Sequence, residues 1–221
     1  TDSGVQLYRN LEGVAMGAPI TTAAAELTAG VWNLEIAQWN SDAGVRIVLW
    51  LNETKLLDYT DSDPAAITAG GYFGVSNFGT DSTVKFGVET EETPVVVPED
   101  IYSVSLDAQL AKETNWIRFE SGGAGMEFDY QDGYYTIAGV ETTLYYGAKL
   151  PADAAMRFTL KKDSLPENEQ FGFGVRLSNS NAALWALNKQ GYYFDFKGGT
   201  WTLYKLNSDM IKLAEAVCEM D

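Results

Sequence analysis

Two sets of side chains in this sequence have the types and spacing to do chemistry. Trp39, Trp50, Trp116, Trp185 and Trp201, with Tyr192 and Tyr193, offer flat apolar faces of the kind on which sugar rings stack. Tyr145-Tyr146 and Tyr192-Tyr193 are adjacent pairs, so in a regular strand one member of each faces away from the core. The outward rings are expected to be Tyr146 and Tyr192. Together with Trp185 and Asn181 in "NSNAA" they form the candidate glycan contacts. Most aromatic residues of an antiparallel sandwich fill its core, so the majority of these rings are expected to be structural.

The second set is acidic. "NSDAG" carries Asp42, "DYTDSDP" carries Asp58, Asp61 and Asp63, and "GTDST" carries Asp81. Calcium takes about six to eight oxygens, several of which Asp58, Asp61 and Asp63 would supply. Ca²⁺ is therefore the one cofactor to look for, and no other is required. Turn chemistry accounts for the same residues without a metal, and no stretch matches an EF-hand loop.

Composition narrows the partners. Asp and Glu number 31 against 15 Lys and Arg, for a formal charge of −16. Nucleic acid and anionic membranes bind through clustered cations, so neither is an expected partner. Histidine is absent, which removes His-based triads, His-containing zinc sites and imidazole switching near neutral pH. Cys218 is the only cysteine, so no intrachain disulfide can form, and it reads as a small apolar residue of the last strand. No apolar run is long enough for a membrane helix, and no signal peptide opens the chain. Thr1 in place of Met reads as a cut or processed end. An acidic chain with so little cysteine suits a secreted or cell-surface location.

Those side chains must be positioned by strands. Period-two alternation marks 31–39, 45–52, 55–61, 70–78 and 83–90, separated by Asp-, Ser-, Pro- and Gly-rich loops. It resumes over 115–121, 126–138 with an Asp132-Gly133 hairpin signal, 142–150, 155–163, 171–179, 182–188, 191–197 and 200–206. "MIKLAEAVCEM" near the end is read as a further strand. "EETPVVVPED" holds two prolines among acids and reads as an extended linker. The expected organisation is an all-β antiparallel sandwich with units at 1–91 and 101–221, joined by a linker at 92–100.

Residues 31–90, through "GVWNLEIAQW", "VRIVLWLNETKLLDYTD" and "AGGYFGVSNFG", resemble the C-terminal half of a concanavalin A-like jelly-roll of the lectin, laminin-G-like and glucanase superfamily. Asn52 stands at the Asn-Gly turn of that pattern. Residues 115–206, through "FDYQDGYYTI", "MRFTLKKD" and "GYYFDF", resemble the N-terminal half of the same fold. The halves thus stand back to front, as in an out-of-phase slice of a tandem array. Residues 5–18 echo 201–214 accordingly, with Leu7, Tyr8, Arg9 and Ala18 against Leu203, Tyr204, Lys205 and Ala214. Half-sandwiches expose edges and an uncovered apolar face. The halves must therefore close on each other, complete neighbouring copies head to tail, or fold as separate small sandwiches.

The resemblance implies sugar binding on the concave face or at the loop rim. Several glycosidases of this fold carry Glu-x-Asp-x-x-Glu on one strand, and Glu127, Asp129 and Asp132 in "EFDYQD" come close to that spacing. Their place in an early hairpin, with Asp132 in a turn, favours a solvated strand face instead. The expected function is a non-catalytic extracellular module of a large surface or filament-forming repeat protein, adhesive or structural, with glycans or neighbouring copies as partners. The alternative is a fragment of a glycoside hydrolase.

Overall fold

The structure, a computed structural model, describes residues 5–6, 22–23, 26–27, 30–77, 83–86, 101–106, 115–119, 126–129, 134–138, 142–162, 170–184, 189–197, 200–207, 209–217 and 219–220. The linker 92–100, Asp81, Asp132, Trp185 and Cys218 lie outside the described residues, as do Leu7, Tyr8, Arg9 and Ala18. Strands appear almost wherever alternation predicts them, and no α-helix occurs among the described residues. The first are β1 (Val5–Gln6), β2 (Thr22–Ala23), β3 (Glu26–Leu27), β4 (Gly30–Ser41), β5 (Gly44–Leu51), β6 (Thr54–Asp61), β7 (Tyr72–Asn77) and β8 (Thr83–Phe86). Next come β9 (Tyr102–Ser105), β10 (Trp116–Phe119), β11 (Met126–Asp129), β12 (Tyr134–Ala138), β13 (Thr142–Tyr146) and β14 (Ala154–Lys162). The series ends with β15 (Gln170–Leu177), β16 (Gln190–Lys197), β17 (Thr200–Asn207), β18 (Met210–Val217) and β19 (Glu219–Met220).

Two large sheets stack as a sandwich. One runs β10-β13-β7-β15-β16-β17-β18, and the other runs β11-β12-β8-β14-β4-β5-β6 with β9 alongside β14. Pairing is antiparallel apart from β9 with β14 and β19 with β3. The segments on either side of 92–100 share both sheets. β7 lies between β13 and β15, and β14 lies between β8 and β4. Strands from the two segments therefore close on one another within one chain.

Packing explains the closure. Alternate residues of β4 and β5 (Trp32, Leu34, Ile36, Ile47, Leu49) form an apolar face, and β15–β17 cover it with Phe171, Phe173, Phe194, Phe196, Trp201 and Leu203 in a single core cluster. Trp32 meets Phe171 and Phe196, each at 5.6 Å between ring centroids. A fully buried side chain of this size is worth about 2–3 kcal/mol of transfer free energy, which neither segment could recover alone.

Two connections differ from expectation. Residues 182–184 form no strand; Leu184 folds over the far side of the seven-stranded sheet instead. The β5–β6 turn places Asn52 at φ 46° and Glu53 at φ 67°. Such a turn matches the strand twist and normally takes Asn-Gly. Here the Asn52 side chain secures it by accepting from the Asn33 N–H at 2.9 Å.

Candidate functional site

The pattern of β16 separates two faces. Tyr192, Phe194 and Phe196 point into the main core, while Tyr193 and Asp195 point out of the sandwich. Strand pairing extends that outer set into two cross-strand rows. One row runs Thr143, Ser76, Gly172, Asp195, Thr202, Glu215, and the next runs Tyr145, Gly74, Gly174, Tyr193, Tyr204, Lys212. The glycines at the centre admit the aromatic rings. A Cβ at Gly172 would stand 2.5 Å from the Tyr193 ring, and one at Gly74 would stand 2.8 Å from the Tyr145 ring.

Tyr193 and Tyr204 stack at 6.1 Å with 20° between their planes. Tyr193 is buried and Tyr204 only partly so, which makes one ring a floor and leaves part of the other open to contact. Asp195 flanks them. Its Oδ1 accepts from the Tyr193 hydroxyl at 2.8 Å and from Gln170 Nε2 at 3.0 Å. Burial raises the Asp195 carboxyl above its ordinary range, and the bonds from Gln170 and Tyr193 partly offset this. The Tyr193 hydroxyl is pushed well up by its own burial and then by the Asp195 charge. Lys212 and Glu215 pair at the β18 side. The assembly offers a flat ring beside carboxylate, amide, hydroxyl and ammonium groups. That combination suits a ligand with one apolar C–H face and a rim of hydroxyls.

The sequence-predicted contacts land elsewhere. Tyr192 is wholly buried in the main core; its hydroxyl donates to Asp61 Oδ2 at 2.8 Å and accepts from the Ile67 N–H at 3.1 Å. Tyr146 also faces inward, edge-on to Trp116 at 5.5 Å. Asn181 is exposed in the 178–184 connection. The outward members of the two pairs are Tyr145 and Tyr193. Parity was the available signal: the set 192, 194, 196 is purely aromatic, whereas 193, 195, 197 carries two charged residues. Trp39 lies under the Arg46 guanidinium at 5.2 Å, on the other sheet.

The three aspartates do not converge on a metal. Asp58 is held by Arg46 at 2.7 and 2.8 Å and by Lys55 at 2.8 Å, and the Arg46 hydrogen bonds hold its carboxyl below the ordinary range. Asp61, three residues on, necessarily faces the opposite side of β6. Lys205 Nζ sits between Asp61 (3.1 Å) and Asp63 (3.2 Å), where a cation would go. Among the described residues no group of three or more acidic, His or Cys side chains is arranged for a metal. Glu127 and Asp129 lie on β11, an edge strand of the eight-stranded sheet, away from the two rows.

Sequence reasoning missed a buried cation on the outer side of the seven-stranded sheet. Lys189, 1% exposed, donates to the Tyr145 hydroxyl and to the Ala182 carbonyl at 3.1 Å, beneath the Leu184 connection. Desolvation lowers its ammonium from 10.5 to about 8. Below that value both folded and unfolded chains hold the proton, and the full burial penalty opposes folding. Above it only the unfolded chain holds the proton, so stability rises with pH through the window up to 10.5. The urea midpoint is expected to climb between about pH 7.5 and 9.5. The slope should flatten in Lys189→Met; an equal climb in that variant would refute the assignment.

The chain matches no protein-family model and no curated protein. The class it defines is therefore the one its own strands build, an all-β antiparallel sandwich.

Proposed function

We propose that this chain is a non-catalytic, glycan-binding β-sandwich module of a secreted or cell-surface protein, and that it meets its ligand on the outer face of the seven-stranded sheet. The observation that carries the reading is the Tyr193–Tyr204 stack with Asp195 and Gln170 hydrogen-bonded at its edge. A pyranose stacks its C–H face on such a ring and directs its hydroxyls to the flanking polar groups. Because the two segments fill each other's sheets, closure needs no strand from a neighbouring copy. The surface chemistry favours the glycan among the expected partners.

A glycan array with the intact chain finds the ligand class, and calorimetry with the best binder tests the site. Tyr204→Ala is expected to weaken binding about tenfold or more, roughly 1.4 kcal/mol, with the fold unchanged. Unchanged affinity in that variant would remove the site. A second reading has one observation behind it: Asp195, with its raised carboxyl, shares a cross-strand row with Glu215, two strands away. Strand spacing puts their backbones about 10 Å apart, compatible with an inverting acid–base pair acting through water. Reducing-sugar release abolished by Asp195→Asn would replace the binding reading with the hydrolytic one.

A further inference from the structure

β6 closes one end of the eight-stranded sheet, and β17 belongs to the seven-stranded sheet. At their meeting point an ammonium and a carboxylate are both withdrawn from water: the Lys205 and Asp61 side chains are each 2% exposed. Lys205 Nζ stands 3.1 Å from Asp61 Oδ2 and 3.4 Å from Oδ1, so the nitrogen faces the carboxyl carbon between them. The Tyr192 hydroxyl donates to Asp61 Oδ2 at 2.8 Å. A second carboxylate, Asp63, reaches the same nitrogen at 3.2 Å; its side chain is 52% exposed and is fixed by the Ala65 N–H donating to Oδ1 at 2.8 Å. This set holds an amine, an acyl carbon, a donor on the acyl oxygen and a carboxylate that reaches water.

We infer that Lys205 and Asp61 condense to an amide, forming a covalent cross-link between the two sheets. One proton of the ammonium passes to Asp63. The freed lone pair attacks Asp61 Cγ, and Tyr192 O–H meets the charge that develops on Oδ2. The proton on Asp63 and a second proton from the nitrogen go to Oδ1. The Cγ–Oδ1 bond then breaks, and one water leaves past the exposed side of Asp63. Nitrogen keeps its third proton as the amide N–H, and Asp63 returns to carboxylate. No oxidant or cofactor enters. Held neighbours of this kind gain effective concentrations far beyond those of free amine and acid, which offsets the poor leaving group. The chain has one cysteine and so no intrachain disulfide. An amide linking residues 144 positions apart would restrain the unfolded chain in the disulfide's place. This goes beyond the glycan reading and does not depend on it.

Intact mass spectrometry of the purified, denatured chain tests it. The expected mass is that of the sequence less one water, with the Asp61 peptide joined to the Lys205 peptide after digestion. Lys205→Met should show the full mass. Asp61→Asn, which keeps the acyl carbon but carries a different leaving group, should lose one ammonia instead. Asp63→Asn, checked as folded by circular dichroism, should leave the cross-linked fraction at least tenfold lower at equal times. A folded wild-type chain at full sequence mass overturns the inference, as does a missing water mapped to other residues.

Discussion

Arg176→Met is expected to lower the unfolding free energy by about 3–5 kcal/mol, read as a fall in the urea midpoint at unchanged m-value. Arg176 sits at the β15 bulge with φ 53°, and its side chain is fully buried. Nη1 donates to Asn40 Oδ1 at 2.9 Å and to the Ile67 carbonyl at 2.6 Å, while Nη2 donates to the Ala152 carbonyl at 2.7 Å. One guanidinium thus ties the end of β4, the 62–70 connection and the 151–153 turn together. Burial lowers the Arg176 pKa, and the nearby Tyr192 and Asp153 oppose that shift. Methionine fills much of the volume but deprives both carbonyls of this donor, and unmet buried acceptors cost about 1–3 kcal/mol each. A loss below about 1 kcal/mol would show that the guanidinium is dispensable.

Lys205→Met is the second large effect, and it is best measured against Asp61→Leu/Lys205→Met. The single variant keeps Asp61 buried with Tyr192 as its neighbour and no cation. The double variant removes the charge as well. Neither can form the amide, so their difference isolates the unpaired carboxylate. The double variant is expected to be the more stable by about 3 kcal/mol, since a buried charge without its partner costs more than an apolar replacement of both. Equal stabilities would mean that Asp61 finds water or another donor in the single variant.

These two cations also show what was and was not legible in the sequence. Alternation in "VRIVLWLN" marks β5, where every second residue is deeply buried. The aromatic 192, 194, 196 set of "GYYFDFK" marks the core face of β16, a strand buried on both faces from 191 to 196; the resulting sandwich follows. Arg176 and Lys205 were hidden because each is an inward charge within an apolar run, matched to partners 136 and 144 positions away. No local pattern encodes such a pair. The acidic triplet misled because a spacing of three reverses the face of a strand, sending Asp58 outward and Asp61 inward. The described part of "AALWALN", residues 182–184, misled differently: Leu184 supplies an apolar plug in the cluster of Tyr145 and Tyr193, so its hydrophobicity reflects capping and not strand formation. The proposed ligand face was half legible. The tyrosine pairs were recognisable, but choosing Tyr192 over Tyr193 required knowing which parity the core takes.

Hydrogen exchange of the intact chain, with and without the best array ligand, tests most directly whether the seven-stranded outer face meets the glycan. The account predicts added protection in β16–β18 around Tyr193, Asp195, Tyr204 and Glu215, with β4–β6 unchanged. Protection confined to β4–β6, around Trp39 and Arg46, would contradict it.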